Sequence, residues 1–367
     1  MNLKAKCIPA LLLVGALWLT LAVWCWVRPS QETSLSERRK LAQLPDFTAD
    51  AVLSASFMSE FETYTLDQFP FRDSFRAVKA ATSLYVLGKK DNGGIYLSDG
   101  YAVKLEYPLN VSSVTSAVGK FEALYETYME GKNLKIYLSV VPDKGYFLSQ
   151  KNGYPAMDYA RLFSLMQQNL PFAEYIDISG CLQVTDYYKT DIHWRQEQIT
   201  DVAQQLLKGM RVGEIDYENY TVVSANTPFY GVYYGQSGLP LKSETIRYLT
   251  SETLEACTVY NAETQQVGGI YDLERLNGRD PYEMFLSGAC PVLIITNPNA
   301  AGRELVVFRD SFASSLIPLL LEKYAKITLV DTRYINSHLI GDYVTFENQD
   351  VLFLYSATVL NNSRSLK

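Results

Sequence analysis

Imidazole is the scarcest functional group in this chain: of 367 residues, only His193 and His338 carry it. Any mechanism that needs an imidazole must therefore use one of these two. Cysteine is sparse as well. Cys7 and Cys25 fall in an apolar N-terminal run, and Cys181, Cys257 and Cys290 have neither CxxC nor CxH spacing. This pattern excludes a disulfide scaffold, argues against a cysteine-based zinc site and leaves room for at most one disulfide. Excess positive charge is also missing. With a net charge of -7 the chain lacks the basic face that phosphates demand, which excludes nucleic acid as a partner. There is no internal repeat and no low-complexity tract. What the chain does have is apolar material: 48% hydrophobic and 13% aromatic residues against 20% charged is a globular composition, ample for one large domain or two ordinary ones.

The first long feature is an uninterrupted apolar run from Ile8 to Val27, about the 20 residues a helix needs to cross a bilayer. Lys4 and Lys6 precede it, Trp18, Trp24 and Trp26 stand where interfacial aromatics are common, and Arg28-Pro29 follows. A cleaved signal peptide has a shorter core and small residues before the cut. The run is therefore read as an uncleaved signal anchor, with residues 1–28 forming a cytoplasmic tip and a single transmembrane helix. The rest of the chain is then extracellular and tethered to the cell membrane. Residues 29–110 read as a stalk, two amphipathic helices and a hairpin. Phe57, Phe61, Tyr64 and Leu66 mark the first helix, which Pro70 ends. Phe75, Val78, Ala81, Leu84 and Leu87 mark the second, and alternation around Asp99-Gly100 marks the hairpin.

From about residue 111 to 367 helices alternate with apolar strands. Helices are expected near Val114–Tyr128, Met157–Leu170 and Gln196–Met210. Strands are expected at Leu134–Val141, Tyr175–Ile178, Val292–Ile295, Leu305–Phe308, Ile327–Val330 and Val351–Leu354. This alternation implies an α/β fold with a doubly wound, mainly parallel sheet. Between them, about 212–280 reads as a β-rich insertion.

Open α/β sheets place their sites beyond the carboxyl ends of strands. Ser311 follows the strand ending at Phe308 and precedes an apolar stretch read as a helix, so its hydroxyl would meet free N–H groups and the positive end of a helix dipole. The same serine would serve equally as an ordinary N-cap. The second candidate is Asp191-Ile192-His193. A carboxylate two residues before an imidazole can hydrogen-bond Nδ1, fix the tautomer and leave Nε2 to deprotonate a hydroxyl. Alternatively Asp191 is a helix cap and His193 a packing residue. Together the serine and the D-x-H loop make a complete acyl-transfer set.

These residues carry a resemblance. Glu37-Arg38-Arg39-Lys40-Leu41-Ala42, the FETYTLDQFPFR run of Phe61–Arg72, Val141-Pro142-Asp143-Lys144, Thr190–Trp194, the YGVYYGQSG run of Tyr230–Gly238, Arg309–Phe312 before Ile317-Pro318, and Asp331–Tyr334 follow one another in order. The set resembles the SGNH-hydrolase-like proteins of the alginate acetylation type, and most of all their Gram-positive relatives, the DHHW family. The resemblance implies an SGNH-like sheet in circularly permuted order, with Asp191 orienting His193, His193 as base and Ser311 as nucleophile. It departs from the family name at Ile192, where a second histidine is usual. The candidate substrate contacts are Lys144, at a strand end, which reads equally as a solvated loop lysine; Arg309, which with Asp310 flanks the serine and could instead anchor the turn; and Asn297, which could act as the asparagine of SGNH enzymes does. His338 matches nothing in the pattern and reads as surface.

The implied activity is O-acetyl transfer onto a cell-surface or secreted polysaccharide, with a membrane-bound O-acyltransferase as acetyl donor and no cofactor. A carbohydrate esterase would use the same triad with water as acceptor. A glycan-binding scaffold would predict a damaged triad. A metal-dependent phosphoesterase would need Asp191, His193 and Asp310 as ligands, with little else to complete the set.

Overall fold

The computed structural model describes residues 3–34 and 36–367. They form two compact units, one made of the chain up to Gly93 together with Tyr234–Leu241, the other of Gly94–Tyr233 and Lys242–Lys367.

In the first unit the apolar run is a single helix, α1 (Leu3–Val27). Helix α2 (Ser56–Asp67) and helix α3 (Arg72–Ala81) follow, the latter continuing through a π-type turn over Thr82–Val86. The Phe69-Pro70-Phe71 turn separates them, since proline cannot continue a helix and Phe71 adopts the left-handed conformation. Ionic contacts close this unit. Arg39 grips Asp67 through two bonds of 2.7 and 2.5 Å, and Arg72 pairs with Glu37. Two of the sequence runs read above as separate signals thus bind each other.

The second unit opens with a hairpin, β1 (Ile95–Ser98) and β2 (Tyr101–Lys104), turning at Asp99-Gly100 as expected. It belongs to this unit rather than to the stalk. Ala102 N donates to Lys189 O at 2.8 Å, and Tyr96, Tyr101 and Val103 pack with Leu148. Helix α4 (Val111–Tyr128), strand β3 (Lys135–Val141), helix α5 (Tyr159–Asn169), the two-residue strand β4 (Glu174–Tyr175) and helix α6 (Thr200–Gly209) come next. They are followed by β5 (Thr221–Phe229), β6 (Glu244–Thr250), β7 (Thr258–Asn261), β8 (Gln266–Gly268), β9 (Val292–Thr296), β10 (Glu304–Arg309), β11 (Lys326–Val330) and β12 (Asp350–Ser356).

Eight of these strands form one sheet in the order β8-β7-β9-β11-β10-β12-β3-β4. The five from β11 to β4 are parallel, and the three at the other edge are antiparallel. Both faces are covered, so each central strand alternates between two buried cores rather than between core and water. Val307, Leu329, Leu352 and Leu354 face Val202, Leu206 and Leu207 of α6; Val306, Phe308, Val351 and Phe353 face Val118, Phe121 and Leu124 of α4.

Three details go beyond the expected sheet. Strand β9 is antiparallel to β11, with Val292 opposite Val330. Only residues 297–303 join it to β10, too few for the crossover of a dozen or more that parallel strands require. Second, the β-rich stretch of 212–280 serves two sheets: β5 and β6 make a two-stranded ribbon, and β7 and β8 extend the main sheet. Third, the apolar stretch after Ser311 is one α-turn, Ala313–Leu316, continued as a 3-10 helix over Ile317–Lys323. Pro318 has no N–H to give to the carbonyl of Ser314, which ends the α ladder there.

Candidate active site

Two loops beyond the carboxyl edge of the parallel strands make the site. The first is Tyr187–Trp194, a tight reversal in which Tyr187 bridges Trp194 and Tyr188 N donates to His193 O at 3.1 Å. Asp191 is fully buried. Its Oδ1 lies 2.6 Å from His193 Nδ1 and accepts His193 N at 3.0 Å, while Oδ2 accepts Val232 N at 2.8 Å. An ionised carboxylate only accepts, so Nδ1 carries the ring proton and Nε2 presents a lone pair. That lone pair meets Ser311 Oγ at 2.8 Å. The aspartate and imidazole, two residues apart, and the hydroxyl, 118 residues further along the chain from the imidazole, are thus in line at hydrogen-bond distances suited to base-assisted nucleophilic attack.

The second loop holds the serine. Asp310 Oδ1 accepts Phe312 N at 3.1 Å and Oδ2 accepts Ser356 N at 2.7 Å, which ties the turn to the end of β12. With both oxygens so committed, Asp310 is poorly placed as a metal ligand with Asp191 and His193. Trp194 and Gln196 join the two loops: Trp194 Nε1 donates to Phe312 O at 3.1 Å, and Gln196 Nε2 donates to Ser315 O at 2.8 Å. Ser311 gains little from a helix dipole, because the turn after it is too short to build one. The nearby imidazole is the group placed to activate it.

The three further candidates fall in different places. Lys144 is buried and does not line the cavity beside Ser311. Its Nζ donates to Tyr188 O at 2.9 Å and Lys189 O at 3.2 Å, and lies 5.0 Å from the centre of the Tyr233 ring. Burial pulls this amine down to about 7, with Asp191, Glu244 and Asp143 opposing the shift. Its contacts are those of a tether for the Asp191 loop. Asn297 stands at the opposite edge of the sheet, because β9 runs against its neighbour; Nδ2 donates to Leu321 O at 2.8 Å and Oδ1 accepts Asn299 N at 2.9 Å. It caps a turn there, away from Ser311. Arg309 does line the site. It is buried, gives Nη1 to Ser314 Oγ at 3.2 Å, and leaves Nε and Nη2 without a hydrogen-bond partner. A cavity of about 200 Å³ opens beside it, lined by His193, Tyr282, Arg309, Ser311, Arg333 and Tyr334.

Several residues of the site were not identifiable from the sequence. Tyr282 stacks on the His193 ring at 3.9 Å and 6°, and its hydroxyl donates to Ser315 Oγ at 2.7 Å. Glu244 accepts Lys189 N, Thr190 N and Thr190 Oγ1, each at 2.7 Å. Gly231 backs directly onto the Asp191 loop. Only Gly231 had a signal, as part of the YGVYYGQSG run; Tyr282 and Glu244 sit in stretches with no pattern of their own. Ile192 is half-buried against the main core, so the place of the second family histidine is apolar here. His338 is exposed, and the five cysteines are free.

No protein-family model matches the chain, and no curated protein does. Solved structures do. A DHHW family protein from Eubacterium siraeum superposes with a TM-score of 0.61 at 20% identity, over 75% of this chain and 95% of that one. Bacillus cereus PatB1 with a sulfonyl adduct gives a TM-score of 0.56 at 21% identity, over 72% of this chain and 95% of PatB1. PatB1 in a second structure gives 0.51 at 20% identity. The chain has the SGNH-like fold of the DHHW proteins. In this DHHW-like fold the D-x-H loop and the later serine stand at one sheet edge.

Proposed function

We propose that this chain is an extracytoplasmic O-acetyltransferase that carries an acetyl group on Ser311 and passes it to a hydroxyl of a cell-surface or secreted polysaccharide. The observation that carries the reading is the aligned Asp191–His193–Ser311 set, with 2.6 and 2.8 Å contacts at a solvent-open cavity. His193 Nε2 takes the Ser311 proton as Oγ attacks the acetyl carbonyl; Asp191 stabilises the imidazolium that forms. The leaving group departs with that proton. A sugar hydroxyl then gives its proton to Nε2 as its oxygen attacks the acetyl-serine carbonyl, the Oγ–acetyl bond breaks, and Nε2 returns the proton to Ser311 Oγ. Arg309, which lines the cavity, contacts donor or acceptor. Lys144 acts in this scheme through the Asp191 loop rather than on substrate. The acetyl donor is a membrane-bound O-acyltransferase, and α1 keeps the domain at the membrane where that donor works.

The reading is tested on the full chain with an activated acetyl ester. Mass spectrometry should find the acetyl group on the peptide containing Ser311, and a sulfonyl fluoride, the reagent class that caps activated hydroxyls, should block it. PatB1, which shares the fold, has been captured with a sulfonyl adduct. Adding an oligosaccharide acceptor should discharge the acetyl-enzyme faster than water does; discharge indifferent to sugar would make the protein an esterase. Full activity in a well-folded Ser311→Ala variant would overturn the serine mechanism.

A further inference from the structure

The stripe of Phe75, Val78, Ala81, Leu84 and Leu87 reads in the sequence as the apolar face of an amphipathic helix. In the structure much of it faces outward. Phe71, Phe75 and Val78 are 55%, 52% and 64% exposed, and Tyr85, Val86 and Leu87 beyond them are more exposed still. Large apolar side chains exposed at successive turns from Phe71 to Leu87 mark an interaction surface rather than scattered surface hydrophobics.

The neighbours of this row say what covers it. The turn between α2 and α3 lies along α1: the rings of Phe69 and Trp18 are 6.3 Å apart, those of Phe71 and Trp24 5.1 Å, and those of Phe61 and Trp26 6.0 Å. Trp18 precedes the end of α1 by nine residues, which at about 1.5 Å per residue puts it roughly 13 Å back along the helix. The turn is held there. Gln68 Oε1 accepts Gln31 N at 2.9 Å, Gln68 Nε2 donates to Gln31 O at 2.9 Å and to Ala42 O at 3.0 Å, and Arg39 clamps Asp67 next door. If Cys7–Val27 crosses a bilayer, its length of 21 residues fills the hydrocarbon core, so a turn fixed beside Trp18 and Trp24 cannot stand in bulk water.

We infer that the α2–α3 turn and the exposed face of α3 form a monotopic collar, seated in the headgroup and upper acyl region of the leaflet that α1 leaves at Val27. This rests on the reading of α1 as a membrane span. The occupant of the face is lipid: the row is continuous with the ring contacts to α1, and interfacial helices bury their apolar face about 5–10 Å deep. The collar makes attachment two-footed and fixes the height at which the first unit stands.

The test uses the unaltered full chain in nanodiscs whose phospholipid carries a photoreactive group in the acyl chain. Adducts are expected on peptides spanning residues 69–87 as well as on α1. Adducts on α1 alone overturn the collar and leave the anchor standing; adducts on neither overturn both. A second measurement labels single cysteines, in a background without the native five, with an environment-sensitive dye at Phe75→Cys, Val78→Cys, Leu13→Cys and, on the other unit, Glu126→Cys. Spin-labelled lipid should quench the first three, and aqueous iodide only the last. Iodide quenching at Phe75→Cys and Val78→Cys equal to that at Glu126→Cys, with Leu13→Cys still lipid-quenched, would show a face left open for a protein partner and end the lipid assignment.

Discussion

A methyl group on Gly231 would sit 2.2 Å from Asp191 N and from the Thr190 carbonyl carbon, inside any allowed contact. Both neighbours are backbone, so nothing flexible can yield; the loop itself must move. Gly231→Ala should therefore lengthen the Val232 N to Asp191 Oδ2 bond, lower the melting temperature, as overpacking by about 1–3 kcal/mol does, and reduce acetyl transfer by more than the stability loss explains. Thermal melts and labelling kinetics on one sample check this. Asp191→Asn makes a purer statement about the tautomer. An amide can donate to Nδ1 and hold the proton on Nε2, so the rate should fall about 10⁴-fold with the fold intact. Lys144 has a different signature. Its amine is held near 7 in the folded chain against an ordinary value near 10.5, so between these values the unfolded chain binds the extra proton. Stability should rise with pH over that window, and Lys144→Met should lose the rise while freeing the Tyr188 and Lys189 carbonyls. Melting temperatures in detergent from neutral to alkaline pH decide it; equal slopes in both proteins would sink the account.

Direction and length of elements separate what was legible in the sequence from what was not. Short continuous apolar runs located β3, β10, β11 and β12, the D-x-H loop emerged as a candidate because histidine is so rare, and Ser311 because it follows a strand end. Strand direction has no residue pattern. It follows from connection length, and the short link after β9 reverses that strand and carries Asn297 to the wrong edge of the sheet. The stretch after Ser311 looked helical because apolar periodicity does not register what Pro318 removes. Lys144 looked like a substrate ligand because only the fold shows that its amine ends on two carbonyls. Least legible was the segment around Tyr282, brought onto His193 from outside both motif loops. A ring stack supports the imidazole there, and a hydrogen bond to Ser315 Oγ holds the tyrosine in place. Tyr282→Phe keeps the stack and should cost little. Tyr282→Ala frees the ring, and an aromatic pair of about 0.5–1.5 kcal/mol predicts a loss of up to roughly tenfold in turnover with nucleophile labelling still confined to Ser311. Rates of acetyl-enzyme formation in the two variants test the element rather than the triad.

At the scale of the whole molecule, the proposed function requires that a chain of net charge -7 be held at a membrane. Attraction to anionic lipid cannot hold it there, since the overall charge has the wrong sign. Among the described residues one helix, over Cys7–Val27, is long and apolar enough to span, and at about 1.5 Å per residue its 21 residues match a hydrocarbon core about 30 Å thick. Electrostatic attachment dissolves in salt, because counterions screen exposed charges within about 10 Å at 0.1 M and less at higher concentration. Burial of apolar surface does not. The full chain should therefore stay with the membrane pellet through molar salt and alkaline carbonate and leave it only in detergent. Orientation is a separate outcome. With the domain outside, a periplasmic-type reporter fused at Lys367 should be active, and protease added to intact protoplasts should remove everything beyond the anchor. Release by carbonate would remove the spanning helix from the scheme, and activity of a reporter that works only in the cytoplasm would place Ser311 on the wrong side of the membrane for any extracellular glycan.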